Sequence, residues 1–268
     1  MFRVFRGATG ERTFRAATIS ALVILIVFMV GILVSMLTFT NWNSFVSAIL
    51  SSEILFAIKL SLLTATIATI ISGLIAIPVA YAISKNNFPG KDIVDSFLDL
   101  PIVISPIALG AGLLIFFSTP AGSAINNNVR FVFAVPGIVL AQIAVVSALA
   151  IRLLKSTFDG IDIRYEQVSR TLGCSKFEAF TRVVLPMAKG GLIASGILTW
   201  ARALGEFGAT VTLAGAMAMK TETLPIAIYL NLASADVDKA IAVVFILIII
   251  AVIALFLIRK LTSNRYVI

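Results

Sequence analysis

Histidine is absent from the 268 residues, which removes imidazole acid-base chemistry and every metal site built on an imidazole ligand. The one cysteine, Cys174, has no partner for an intrachain disulfide and cannot supply a multi-thiolate metal centre. Charge is scarce too: 13% of residues are charged and 60% are hydrophobic, too little polar surface to cover a water-soluble domain. The sequence contains no Gly-x-x-x-x-Gly-Lys-[Ser/Thr] phosphate loop, and no polar stretch is long enough for a nucleotide-binding domain. This polypeptide is therefore not expected to hydrolyse ATP, or to act as an enzyme.

What is present is a series of apolar runs of about 20 residues, the length that crosses a hydrocarbon core of about 30 Å. They predict an all-α integral membrane protein, one domain over residues 1–268, with six spans at about 17–39, 54–84, 93–117, 131–151, 190–217 and 239–258. Arg12 and Arg15 precede the first run, no Ala-x-Ala-like cleavage site follows it, and it is too long for a signal core, so it reads as a retained span. Pro78 inside the second predicts a kink or tilt, and Ser105-Pro106 marks a bend in the third.

Basic residues collect on the cytoplasmic side of a membrane protein. Four Arg precede the first span, Lys85 and Lys91 follow the second, seven Lys and Arg run from Arg152 to Lys189, and Arg259, Lys260 and Arg265 close the chain. The alternate connections are poorer, holding Arg130, Lys220 and Lys239. Both termini are thus expected in the cytoplasm of a cell-membrane, multi-pass protein. The net charge of +8 is this asymmetry, and it does not call for a nucleic-acid partner. The outer connections, about 40–53, 118–130 and 218–238, are too short for a solute-binding domain; Leu224 to Leu232 fits a short interfacial helix or a plain loop equally.

The largest cytoplasmic connection, 152–189, combines charge with apolar periodicity too short to span. Asp162 can cap a helix carrying Ile163, Val168 and Leu172, and Gly173 can end it in a left-handed conformation. Ser175 and Glu178 have capping-box spacing and would start a second helix, with Phe177, Phe180 and Val184 on one side, before Pro186. With Arg164, Arg170, Lys176 and Arg182 alongside, this helix-turn-helix unit is either an amphipathic linker on anionic lipid or a docking knob for a cytoplasmic protein.

Here the chain resembles the permease subunits of ATP-binding-cassette importers, whose loop signature is Glu-Ala-Ala, a Gly and a terminal Leu-Pro. Gln167, Val168 and Ser169 stand at the first three places, with Glu166 displaced by one, followed by Gly173, Val183, Leu185 and Pro186. Phe88-Pro89-Gly90-Lys91, Asp99-Leu100-Pro101, Thr171-Leu172-Gly173 and the run Trp200 to Gly208 look like the molybdate/tungstate permeases and, less closely, their sulfate relatives. The resemblance covers roughly 50–258 and implies a type I importer permease fold. It implies a second copy of the chain, two cytoplasmic ATPase subunits that carry the ATP and Mg2+, an external substrate-binding protein and an oxyanion substrate; this chain would bind no cofactor of its own. It also implies that the loop couples to the ATPase through Glu166, Gln167, Val168, Ser169, Arg170, Gly173, Ser175, Phe177, Leu185 and Pro186.

Arg202 and Glu206 form a deep charged pair, four apart on one face of span five. Unpaired charge there would cost several kcal/mol, so they either neutralise each other or line a gate, with Gly205 and Gly208 removing bulk beside them. Thr64, Thr66 and Thr69 can bond their own helix backbone. Gly110, Gly112, Gly191 and Gly196 permit close helix approach. Gln142 would cross-link helices or face water. Competing readings are a sulfate or thiosulfate permease and an ion-coupled carrier; a membrane enzyme is disfavoured by the missing histidine.

Overall fold

The computed structural model describes residues 8–38 and 42–263. Arg3, Arg6, Arg265 and the expected end of the first span at 39 lie outside the described residues. Among the described residues five helices are long and apolar enough to cross a membrane, or six spans when the bent pair is counted as one. Helix α1 (Ala8–Thr38) is apolar on all sides, and no residue of Glu11–Met36 is buried within the chain, as expected of a helix facing lipid or another polypeptide. After α2 (Trp42–Ile49), α3 (Ser52–Lys85) starts where the Ser51 hydroxyl accepts from the Ile54 N–H and runs unbroken through Pro78.

The third span is not one helix. α4 (Lys91–Leu98) and α5 (Leu100–Val103) lead into Ile104 and Ser105, both extended, and α6 (Pro106–Ser118) leaves at 105° to the segment Lys91–Val103. The cause is local: the ring of Pro106 drives Ser105 out of the helical region. The bend expected at Ser105-Pro106 is thus a break that divides the span expected at 93–117. α7 (Pro120–Asn128) follows, and α8 (Val135–Asp159) is the fourth span, extending beyond the expected end at 151.

The cytoplasmic loop also departs from expectation. α9 (Ile163–Thr171) is capped by Asp162, whose side chain accepts from the Arg164 N–H, and α10 (Lys176–Ala179) opens on the Ser175/Glu178 capping box, both as the spacing predicts. The second helix does not stop before Pro186. A π turn, Phe180–Val184, joins α10 to α11 (Leu185–Leu204), so that one helix runs from Lys176 to Leu204. Pro186 has no N–H to give and would crowd the carbonyl four residues back. The wider turn, in which the Leu185 N–H donates to the Phe180 carbonyl, accommodates it without ending the helix. At its far end this helix stops at Gly205, and α12 (Gly208–Ala214) restarts after three residues, so span five is also interrupted. α13 (Leu224–Ala233) is the short helix that had been balanced against a loop, and α14 (Val237–Ser263) is the last span.

α3 packs along α8, and α11 lies against α8, α3 and α14. The cytoplasmic half of the core is Ala80, Ile83, Leu154, Phe158, Val184 and Ala188. The external half joins α2, α3, α13 and α14 through Ala48, Ile54, Leu224 and Val243. α12 packs on α6 so closely that a Cβ on Gly110 would lie 2.8 Å from the Ala209 Cα. Gly191 likewise admits Thr157, whereas Gly112 and Gly196 have nothing within 4 Å.

Candidate functional site

Two places on this frame hold the residues singled out from the sequence. The first is the cytoplasmic loop. Gly173 sits at φ +95°, the left-handed turn its position between two caps demands, and nothing lies within 4 Å of where its Cβ would be. Around it the apolar side chains point outward: Leu172 is 81% exposed, Phe177 74% and Val168 57%, with Ile163 and Tyr165 also exposed. Gln167, Arg170 and Lys176 line a shallow depression beside Cys174 and Ser175. Arg170 and Arg182 are exposed as well, which gives an apolar patch with a basic rim.

The remaining loop residues turn the other way. Glu166 is 6% exposed and accepts a 2.7 Å hydrogen bond from the Tyr81 hydroxyl. Ser169 is buried and donates to the Glu166 carbonyl. Leu185 packs against the cytoplasmic core, and Pro186 is exposed. The one-place displacement of the acid thus carries a consequence: Gln167 faces outward while Glu166 anchors inward. Ile163, Val168 and Leu172 are all exposed, as an apolar side left for lipid or a partner requires, and in the second helix Phe180 and Val184 are inside while Phe177 is not.

The second place is the interruption of span five. Arg202 Nη1 donates to Glu206 Oε2 at 2.6 Å, and the other carboxylate oxygen accepts from the Ala209 N–H at the start of α12. Glu206 is buried; the Arg202 side chain is 39% exposed and borders a cavity of about 260 Å³ with Pro101, Ile102, Ile104, Pro106, Val145 and Leu149. Both chain breaks therefore meet at one arginine. Gly205 is exposed at the end of α11, and Gly208 is buried, a Cβ there falling 3.1 Å from the Ile107 nitrogen at the start of α6. Gln142 cross-links helices, its Nε2 donating to the Ala203 carbonyl beside the break. Thr64 and Thr66 bond their own helix, while Thr69 has no partner for its hydroxyl.

Sequence reasoning missed a cytoplasmic ion cluster. Arg152 on α8 pairs with Asp95 at 2.8 Å and with both carboxylate oxygens of Asp99, tying α4 and α5 to the bundle. Three charges spaced across 57 residues show no local pattern. Tyr81 was missed for the same reason.

Broken spans around a charged pair, with an exposed apolar patch on the cytoplasmic loop, are the features of a multi-pass membrane protein with a polar break inside its bundle. Residues 72–263 match the family model for the binding-protein-dependent transport system inner membrane component, and the chain belongs to that family of ABC transporter permeases. It is similar to a probable molybdenum ABC transporter permease protein of Haloferax volcanii, 36% identical over 64% of this chain and 63% of that one. It is also similar to a molybdate/tungstate transport system permease protein of Thermococcus kodakarensis, 37% identical over 59% of this chain and 60% of that one. The aligned part thus spans less than two thirds of these two relatives. A crystal structure of a bacterial alginate ABC transporter with its alginate-bound periplasmic protein shares the fold, with a TM-score of 0.75 at 18% identity, covering 97% of this chain and 99% of that one. The family places the protein in the inner membrane as a component of a transport system.

Proposed function

We propose that two copies of this chain form the translocation path for ATP-driven import of a tetrahedral oxyanion of the molybdate/tungstate type. Two cytoplasmic ABC ATPase subunits supply the energy, and an external binding protein delivers the cargo. The observation that carries the reading is the apolar patch of Leu172, Phe177 and Val168 on a basic cytoplasmic loop, since covering each large side chain is worth about 1.5–3 kcal/mol to a partner. ATP-driven closure of the ATPases draws the two loops together and opens the permeases outward; hydrolysis lets them part and releases the anion inward.

Along the path Arg202 attracts the anion, and Glu206 keeps that attraction from becoming a trap. A conduit must bind its cargo weakly enough to release it. The relatives' names support molybdate and tungstate; sulfate has the same charge and shape, and the binding protein would decide among them. Reconstitution into liposomes with the binding protein, with and without the ATPase, tests the reading. Uptake should require ATP on the side of the loop. Uptake that persists without the ATPase, driven by a proton or sodium gradient, would make the chain an ion-coupled carrier instead.

A further inference from the structure

α9 is attached to the bundle in an unusual way. Its two buried residues are Glu166 and Ser169, both polar, while its apolar side chains face outward. A helix without an apolar inward face slides and rotates easily unless a directional bond fixes it. That bond is the one from Tyr81 Oη to Glu166 Oε2, 2.7 Å long and made to a carboxylate that is 94% removed from solvent. The Tyr81 ring is held in turn, its centroid 4.5 Å from Phe180 of the π turn and 5.9 Å, edge-on, from Phe158 of α8. One side chain of α3 thus touches α8, α9 and the π turn at once.

We propose that Tyr81 is the positioning residue that fastens the coupling loop to span α3, so that displacement of α9 by the ATPase is handed directly to the bundle. The inference rests on the coupling role of the loop proposed above. Other ties lie nearby: Ser84 donates to Asp159, Lys85 to the Ile161 carbonyl, and Lys176 to Asn86. None of these touches α9. The first and last are exposed and water competes for them, and the second, like the Tyr81 bond, is part-buried, but only the Tyr81 bond ends on α9, at the buried Glu166.

The test is the ratio of anion transported to ATP hydrolysed in proteoliposomes holding the full complex. Tyr81→Phe keeps the ring contacts and removes the donor. It should retain ATPase binding and hydrolysis while the ratio falls about fivefold or more, as one charge-assisted hydrogen bond is lost. Glu166→Gln keeps a neutral acceptor and should lower the ratio less than Tyr81→Phe; Glu166→Ala should behave as Tyr81→Phe does. A native ratio in Tyr81→Phe, with the ATPase still bound, overturns the proposal. Should Tyr81→Phe not yield a monodisperse complex, the Glu166 pair decides: equal ratios in the Gln and Ala variants overturn it. Failure of the coupling reading looks different, because charged substitutions at Leu172 and Phe177 would then leave the ATPase bound; that result would remove the basis of this proposal as well.

Discussion

The Glu206 carboxylate is shared between the Arg202 guanidinium, 2.6 Å away, and the Ala209 N–H, 3.1 Å away, so one buried acid both neutralises a cation and caps the helix that follows the break. Glu206→Ala removes both roles and leaves Arg202 facing its cavity without a counter-charge. The expected cost is about 1–3 kcal/mol of stability, less than for a fully buried pair because the Arg202 side chain left behind is 39% exposed. Glu206→Gln keeps the cap through its carbonyl oxygen, so its yield should recover while molybdate is held longer at the arginine and transport slows. Thermal unfolding in detergent and radiolabelled molybdate uptake check these outcomes. Native stability in the Ala variant, or native uptake in the Gln variant, contradicts them.

Gly173 offers a cleaner substitution, because no atom lies within 4 Å of its would-be Cβ and any effect of a side chain is a backbone effect. At φ +95° a β-branched residue is strained by about 1–3 kcal/mol, which the exposed turn can relieve by shifting α10 relative to α9. Gly173→Val should therefore fold and insert, and its complex with the ATPase subunits should hydrolyse ATP with little transport. Coupled transport at the native ratio would show that the turn's geometry is not needed.

Leu172 and Phe177 should be dispensable to the isolated chain and indispensable to the complex. Substitutions at surface positions usually change stability by no more than about 0.5 kcal/mol. Against a partner, a lost apolar contact of about 1.5–3 kcal/mol per side chain corresponds to roughly 10- to 100-fold weaker binding. Leu172→Asp and Phe177→Asp should each leave the melting midpoint of the permease unchanged and reduce ATPase co-purification sharply. Retention of the ATPase by both variants would place the docking surface elsewhere.

The long spans were legible because α1, α3, α8 and α14 are continuous apolar runs, and the loop caps because Asp162 and the Ser175/Glu178 box act within four residues of themselves. What each proline does to its helix was harder to read. Pro78 leaves α3 intact, Pro186 is accommodated by a π turn, and Pro106 with Ser105 breaks a span through 105°. Pro78 and Pro186 lack an N–H inside a continuous helix, whereas Pro106 opens α6, where no such bond is required, and its ring acts on Ser105 instead. The Arg202/Glu206 pair was visible because the two residues are only four apart in the sequence, although Glu206 lies just past the end of α11. Arg152 with Asp95 and Asp99, and Tyr81 with Glu166, were not, since only tertiary packing brings them together.

Glu222 supplies a pH dependence. It is buried in the segment between α12 and α13 and accepts from the N–H of Met219, a residue at positive φ. Burial pushes its carboxyl above the usual range and nearby Glu53 adds to this, while the Met219 N–H and Lys239 pull the other way. A raised folded-state pKa means that the folded protein holds the proton more tightly than the unfolded chain. Stability from this group is then fullest below the ordinary glutamate value of about 4.3 and is lost as pH rises through the raised value. Glu222→Gln keeps an acceptor for Met219 and removes the titration. The variant should melt higher than the native chain at pH 7.5, and the difference should shrink towards pH 4.5. A native-like melting profile across that range would mean that the ionised carboxylate is accommodated there at no cost to folding.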